Sequence, residues 1–371
     1  MVVGRVTYLI DFPASEMLRR PERPFDTEAA AGLLQGRRVL ITGAGGSVGG
    51  ELARRVALAG PAHVSLLDSH EFGLFQIDHA YSEFHPSVSR RAILTDIRDE
   101  VRLAEWFSAE RPDIVFHAAA LKHVTLVENH PREGLSTNIV GAWNVARAAA
   151  AANTAAFVQI STDKAILPNN VMGASKRLAE LAINAMPQQT QSQTRFVIAR
   201  FGNVFGSSGS VVPLFAGQIA RGGPLTLTHP DAERFFMSVS EAAQLVFAAT
   251  RESLSHAVPG EVLTVGLSMG TPVRVLDLAH RMIGHAGLDP EGFPIRMVGL
   301  RPGEKLIETL LNPWETSTPT SIEGVFSIGG PPRVLDAAAV QALARFADTA
   351  RAADARAEIF RVLSTADGPQ G

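Results

Sequence analysis

The chain predicts an α/β fold, a doubly wound parallel sheet followed by a smaller C-terminal lobe. Three observations carry that prediction. Short apolar runs alternate with amphipathic stretches from Arg38 to Arg200. The first run, Arg38 to Thr42, passes directly into the turn Gly43-Ala-Gly-Gly46-Ser-Val-Gly49. Polar clusters follow the ends of the expected strands, where open parallel sheets hold their ligands.

Composition bounds the possibilities. A length of 371 residues suggests two domains, or one large α/β domain with an appended lobe, and 46% hydrophobic residues suffice for a sizeable core. Cysteine is absent, which excludes disulfides, thiolate metal sites and a cysteine nucleophile. A net charge of −3 and a pI near 6.4 give no electrostatic case for nucleic acid. No run approaches the roughly 18 apolar residues that cross a bilayer. The N-terminal region holds only short apolar pieces such as Val6 to Ile10, so no secretory signal is expected and the chain reads as soluble and cytoplasmic. No His, Asp or Glu grouping has metal-ligand spacing, so no metal is expected.

Residues 1–36 are Arg- and Pro-rich, with Pro21 and Pro24 opposing a long helix. They read as a lead-in segment packed on the main domain or on a partner. Residues 37–202 read as a Rossmann-type dinucleotide-binding domain. Its strand Arg38 to Thr42, glycine turn and amphipathic helix from Glu51 make the dinucleotide fingerprint. Glycine permits a tight turn and close approach to a pyrophosphate, and the helix N-terminus attracts its charge. Gly43, Gly46, Ser47, Val48 and Gly49 are the cofactor candidates here. The next strand, His63 to Leu67, ends at Asp68, near the spacing at which a carboxylate binds adenosine ribose hydroxyls and disfavours a 2′-phosphate. The plainer alternative is a glycine turn with an unrelated aspartate. Strand Arg91 to Thr95 ends in Asp96 and Ile97, a place to hold adenine. Helix Glu100 to Glu110 leads to strand Asp113 to His117, whose end runs into Ala118, Ala119 and Ala120, small enough to pass beneath a cofactor. An Ala-rich helix from Asn138 to Ala151 and strands Phe157 to Ile160 and Arg195 to Arg200 complete the alternation.

Beyond Phe201 the texture changes, with Gly, Ser and Pro frequent from Asn203 to Pro230 and one amphipathic piece from Val212 to Arg221. Residues 203–330 are expected to form mainly a substrate-binding lobe, some of whose segments return to the first domain. Helices are expected at Ser240–Glu252, Val273–Ala286 and Glu304–Leu311, and a strand near Glu261–Val265. The run Gly299-Leu-Arg-Pro-Gly-Glu-Lys305 sets two cations and an acid at a helix start, which suits a phosphate and a ribose; a capped helix with solvated charges is the alternative. Residues 331–371 are expected as a helical tail that serves packing only.

The stretch Gln159 to Glu180 concentrates polar chemistry. An apolar strand ends in Ser161-Thr-Asp-Lys164, Pro168-Asn-Asn170 breaks the chain, and Asn170 can cap the next helix. On that helix Met172 and Lys176 share a face one turn apart. Only Lys122, Lys164, Lys176 and Lys305 are lysines, against thirty arginines among 34 Lys and Arg. Two of these four fall in this stretch, and lysine, unlike arginine, can release its proton in a protein.

At these residues the chain resembles the extended short-chain dehydrogenases/reductases, and among them the nucleotide-sugar 4,6-dehydratases of capsule, flagellin-glycan and O-antigen synthesis. The resemblance rests on TGAGGSVG from Thr42, AAALKHVTLVE from Ala118, STDKA from Ser161, NVMGASKRLAE from Asn170, RFGNVFGSSGSVVPLF from Arg200 and LRPGEK from Leu300. One position departs from most of that superfamily. A tyrosine base usually stands four residues before the helix lysine, where this chain has Met172, and its only tyrosines are Tyr8 and Tyr81. Met172 is similar to the subgroup of UDP-N-acetylglucosamine 4,6-dehydratases that carries methionine there. Those relatives are often larger and attached to an N-terminal membrane region, so the resemblance implies a soluble, shortened version of their catalytic part.

The reaction so implied is an internal redox elimination on UDP-N-acetylglucosamine. Hydride leaves C4 for NAD while O4 loses its proton, the C5 proton becomes acidic, water departs from C6, and the hydride returns to C6. The resemblance assigns Thr162, relayed through Lys176 or water, to the O4 proton, because methionine cannot exchange one. Lys176 also binds the nicotinamide ribose, and Asp163 and Lys164 are the C5/O6 pair; a purely structural Asp163–Lys164 ion pair is the rival reading. It adds Asn138 to the cofactor residues and Lys122, His123, Asn203, Ser210, Arg234, Arg301 and Glu304 as substrate contacts. It also implies a homo-oligomer paired through the helix Val140 to Ala151. An epimerase of the same superfamily and a non-catalytic, NAD-binding sensor are the alternatives.

Overall fold

The computed structural model describes residues 11–256, 258 and 260–368; Tyr8 and the piece Val6 to Ile10 lie outside them. The described residues divide into two compact bodies. The smaller comprises the N-terminal segment up to Pro24, Gly202–Ala242 and Met269–Glu308; the larger comprises Phe25–Phe201, Ala243–Ser268 and the chain from Thr309. Residues 243–268 and 309–330, inside the span of which some segments are expected to return to the first domain, group with the sheet. The lead-in segment is divided at Pro24.

The larger body is built on a nine-stranded sheet. In chain order its strands are β1 (Arg38–Thr42), β2 (His63–Asp68), β3 (Arg90–Leu94), β4 (Ile114–His117), β5 (Ala156–Thr162), β6 (Arg195–Phe201), β7 (Val262–Leu267), β8 (Thr316–Pro319) and β9 (Val325–Gly329). In space they run 8-9-7-6-5-4-1-2-3. β1 to β7 are parallel, and β9 and β8 add an antiparallel edge. The sequence reading missed that hairpin, whose strands are short and whose β8 is Thr-Ser-Thr-Pro. β4 is buried along its length and β5 and β6 nearly so, as continuous apolar strands covered on both faces should be. The strand order reverses between β1 and β4. The glycine turn after β1 and Ala118-Ala119 after β4 therefore flank the switch point where such sheets bind ligands.

The helices of this body are α1 (Thr27–Leu34), α2 (Ser47–Leu58), α3 (Glu71–Phe84), α4 (Glu100–Glu110), α5 (Ala142–Ala151), α6 (Val171–Asn184), α7 (Ala337–Thr349) and α8 (Ala352–Asp367), with most of the helix Val239–His256 and several shorter turns besides. α2 begins at Ser47, earlier than expected, because Gly46 takes the extended N-cap conformation directly after the turn. The expected helix from Asn138 is not one regular helix. Leu135–Gly141 forms a π-helix, a geometry concentrated at functional sites, and α5 continues it. The buried Asn138 amide accepts from Leu121 N at 2.8 Å and donates to Leu121 O at 3.0 Å and Ser175 Oγ at 2.9 Å. Ala148, Ala149 and Ala150 are buried in the same core as Phe157, Leu178 and Leu181, so close packing by this face occurs within the chain. α7 and α8 bury Val340, Leu343, Ile359 and Leu363 in that core as well.

The smaller body gathers helices Ala14–Leu18, Val211–Ala220 and Val275–His285 around Met17, Phe215, Ile219, Phe236, Leu278 and Met282. Glu304–Leu311 is not a helix. Gly303 has φ +79°, the Glu304 carboxylate accepts from the Arg301 amide at 3.2 Å, and Leu306 O accepts from Glu233 N at 3.0 Å. These bonds hold the segment extended beside Glu233, to which Ile307 bridges, and Pro302 and Pro313 oppose a longer helix. No helix among the described residues is long and apolar enough to cross a membrane.

Two glycines separate close approach from propensity. A Cβ on Gly49 would lie 2.0 Å from Gly43 O, a backbone atom no rotamer change can move. On Gly32, inside α1, a Cβ meets nothing within 4 Å. Urea unfolding should therefore show Gly49→Ala strongly destabilised and Gly32→Ala stabilised by up to about 1 kcal/mol.

Candidate active site

The turn after β1 is shaped by backbone-to-backbone approach. Gly43 has φ +67°, and a Cβ there would sit 2.6 Å from Ala119 N. A Cβ on Gly45 would lie 2.6 Å from the carbonyl carbon of Gly73. Gly46, by contrast, meets only Gly43 O of its own loop, at 3.2 Å, so the side of the loop at the helix start stays clear. Gly46 caps α2 without a side-chain bond, and the first turn of a helix presents amides that lack intrahelical partners. Such a terminus with Ser47, Val48 and Gly49 suits a diphosphate. At the end of β2 Asp68 accepts from Gly45 N and from His70 N, both at 2.9 Å. Its carboxylate is thereby held beside the glycine turn.

The adenine candidates are less open. Asp96 is chelated by the Arg98 guanidinium at 2.6–3.0 Å, and Ile97 is buried against Gly141. Ala118 N donates to Thr42 O at 3.1 Å, which seats Ala118-Ala119 against the end of β1. Lys122 and His123 lie in the exposed loop after β4, where His123 opens the helix Val124–Asn129.

The end of β5 and the start of α6 bring the expected catalytic residues together. Thr162 Oγ1 donates to Asp163 Oδ1 at 2.9 Å and accepts from Lys164 N at 3.3 Å, while Lys164 Nζ lies 3.0 Å from the same Asp163 oxygen. Asp163 is buried, and its Oδ2 has no hydrogen-bond partner. Asn170 caps α6 by accepting from Gly173 N at 2.8 Å. Lys176 is buried and donates to Ile160 O at 2.7 Å, which ties α6 to β5. Burial lowers its amine to about 8, although Glu180 one turn on pulls upward. Met172 is buried in the core, and its carbonyl accepts from Ser175 Oγ at 2.8 Å. Tyr81 is buried elsewhere, its hydroxyl on Ala53 O, so the described tyrosine is engaged far from Met172 in the chain.

Beneath these residues lies a polar layer that sequence reasoning missed. His117 Nδ1 is 2.7 Å from Thr42 Oγ1, and its register partner on β5 is Gln159. Gln159 is fully buried with neither amide atom bonded. Beyond it, Glu180 accepts from Ser161 Oγ at 2.6 Å, Arg200 Nε at 2.9 Å and Arg177 at 3.0 Å. A signal was available in Arg200, a cation closing the apolar run Phe196 to Ala199 of a central strand.

The smaller body holds the remaining candidates. Asn203 starts a short strand paired with Phe236–Met237, and Ser210 caps helix Val211–Ala220 with its hydroxyl buried and unbonded. Arg234 donates to Leu306 O at 3.0 Å, which fastens the loop carrying Arg301 and Glu304 to its strand. Arg234, Arg301 and Glu304 are thus drawn into one loop cluster.

Known proteins resemble this chain over most of its length. Residues 39–329 match the family model described as polysaccharide biosynthesis protein. The capsular polysaccharide biosynthesis protein CapD of Staphylococcus aureus is 42% identical over 298 residues, covering 80% of this chain and 49% of that protein. The chain spans about half the length of the first curated relatives it matches. A protein of Rickettsia bellii named UDP-glucose 4-epimerase is 33% identical over 299 residues, covering 79% of this chain and 82% of its own. The X-ray structure of Pen from Bacillus thuringiensis superposes with a TM-score of 0.71 at 31% identity, covering 81% of this chain and 91% of that one. The chain belongs to the polysaccharide biosynthesis protein family.

The buried His117 makes an acid-side prediction. Burial, and then the Lys176 charge, lower its imidazole from 6.5 to about 3. The unfolded histidine takes a proton that the folded one refuses, so the fold loses stability as pH falls below about 6.5 towards 3. His117→Gln should lose stability less steeply over that window than the native protein, as read by urea unfolding at successive pH values.

Proposed function

We propose that this polysaccharide biosynthesis family member is a nucleotide-sugar 4,6-dehydratase that converts UDP-N-acetylglucosamine to the UDP-4-keto-6-deoxy sugar with NAD, working as a homo-oligomer. The observation that supports this reading above others is the Thr162-Asp163-Lys164 cluster facing a helix that offers Lys176 but Met172 in place of a tyrosine. A hydroxyl, a carboxyl and an amine at one strand end suit a reaction with three proton transfers. The glycine turn, the start of α2 and Asp68 suit NAD over NADP, because a carboxylate beside the ribose repels a 2′-phosphate.

When bound, NAD supplies a place for the C4 hydride to rest before it returns to C6. The chain's residues handle the protons. Thr162 would take the O4 proton, relayed to Lys176, whose amine near 8 can be neutral at working pH. Lys164 would accept the C5 proton. Asp163 would protonate O6 as water departs, its unbonded Oδ2 being the oxygen available to carry a proton. Lys122, His123, Asn203, Ser210, Arg234, Arg301 and Glu304 are the proposed substrate contacts, with the arginines and lysine suited to phosphates. The epimerase name of the Rickettsia relative favours a second reading, in which the product is an isomer of the substrate and no water is lost.

Mass spectrometry of UDP-N-acetylglucosamine incubated with protein and NAD separates the readings. A product lighter by one water is expected; an isomer, or no product, would reject the dehydratase. In Lys164→Met the bulk stays and the base is gone, so turnover should fall about 10²–10⁴-fold and no deuterium should enter C5 from heavy water. Native-rate C5 exchange in a folded Lys164→Met protein would move the base elsewhere. Met172→Tyr should not raise turnover, and a tenfold gain would mark the chain as an impaired tyrosine enzyme.

A further inference from the structure

The C-terminal segment does more than cover the core. Glu180, fully buried on α6, is gripped by Arg200 of β6 through two bonds of 2.9 and 2.7 Å and by Arg177 at 3.0 Å. Each arginine is completed from beyond residue 309. Asp367, at the end of α8, takes Arg177 Nε and Nη2 at 3.0 and 2.6 Å, and Glu315 takes Arg200 Nη1 at 3.0 and 2.8 Å. Arg333 approaches Asp367 at 3.5 Å. All three acids and both gripping arginines are buried or nearly so. The remaining bonds reach the candidate catalytic residues. Ser161, which hangs on Glu180, directly precedes Thr162-Asp163-Lys164, and Asn312, whose backbone N–H donates to Glu315 at 2.9 Å, accepts on its side-chain oxygen from Leu167 N at 3.0 Å just beyond them. Asp367 lies past residue 329, where the family match ends.

We propose that Asp367 and Glu315 are positioning residues: by completing Arg177 and Arg200 they hold Glu180 in place, and through it set Lys176 of α6 against the end of β5. A buried cation deprived of its acid must turn away or draw in solvent, because the uncompensated charge is costly in a dry interior. Arg177 and Arg200 could not then keep Glu180 in its present place. Glu180 is one turn from Lys176 and Ser161 is one residue from Thr162, so both sides of the candidate site would shift. The catalytic value of that hold rests on the role proposed for Lys176; the hold itself does not.

Selective labelling of lysine Cε with carbon-13 gives few enough signals to follow, Lys176 being assigned by its loss in Lys176→Met. Glu180 on α6 and His117 on β4 interact with Lys176 directly; Arg177, Arg200, Glu315, Asp367 and Arg333 form the ion-pair network that continues from Glu180, and Asp163 and Lys164 follow β5. Asp367→Asn and Glu315→Gln each remove one negative charge and loosen the grip on Glu180, so the Lys176 midpoint should fall from about 8. Asp367→Glu should restore it. In parallel, kcat for dehydration should fall about tenfold or more in the two amide variants, in keeping with the cost of small misplacements, with KM for the sugar nucleotide changed less than kcat. An unmoved Lys176 signal in folded Asp367→Asn overturns the proposal; if that variant does not fold, Glu315→Gln decides by the same criterion. Should the native protein dehydrate nothing, the proposed function fails, yet the lysine titration still decides the positioning role.

Discussion

A carboxylate sealed inside a protein must be surrounded by donors, and Glu180 sets that requirement at the centre of the larger body. Burial pushes its acidity down, but Arg200, Arg177 and the Ser161 hydroxyl outweigh it and keep the group ionised below the usual carboxylate range. The donors come from β5, β6 and α6 itself, so satisfying one charge locks a helix to two strands. The arginines then need acids of their own, which draws in Glu315 and Asp367. Removing one member of such a buried set typically costs about 3–5 kcal/mol, which is why these elements behave as one unit.

At the opposite side of the switch point the constraint is the absence of side chains. Gly43, Gly45 and Gly49 let backbone meet backbone at distances that any Cβ would block. The result is a tight turn whose clear side coincides with the start of α2 and with Asp68. Charge compensation thus governs the β5–α6 side, and steric vacancy governs the β1–α2 side. The same sheet supports both, because its parallel strands all end on one edge.

Between the two lies a stretch with little redundancy. Thr162, Asp163 and Lys164 share bonds among themselves, and Lys176 reaches back to the Ile160 carbonyl. Met172 contributes bulk without a proton. On the proposed reading, part of the proton traffic then falls to Lys176, whose charge is set by burial and by Glu180. The site's chemistry and the fold's most demanding polar network are thereby connected.

Local sequence determined a good deal by itself. The apolar runs located β1 to β7 within one or two residues: the central strands because they are buried on both faces, the outer β3 and β7 because each still keeps a short apolar run. Gly43 to Gly49, Asp68 and the Asn170 cap were legible because each depends on neighbours a few residues away. The chemistry of Ser161 to Lys164 was visible as a polar end to an apolar strand. Other features had no local signature. Asp367 finds Arg177 across 190 residues of sequence, and Gln159 meets His117 only through strand register. The Asn138 turn widens into a π-helix where its amide bridges Leu121 and Ser175. Glu304–Leu311 carried helix-like spacing, yet bonds to Glu233 and a left-handed Gly303 held it extended. The alanines of α5 lie in this chain's own core, a place their composition alone could not show. Burial of polar and charged groups is decided by partners distant in sequence, so only the tertiary structure could assign those residues their places.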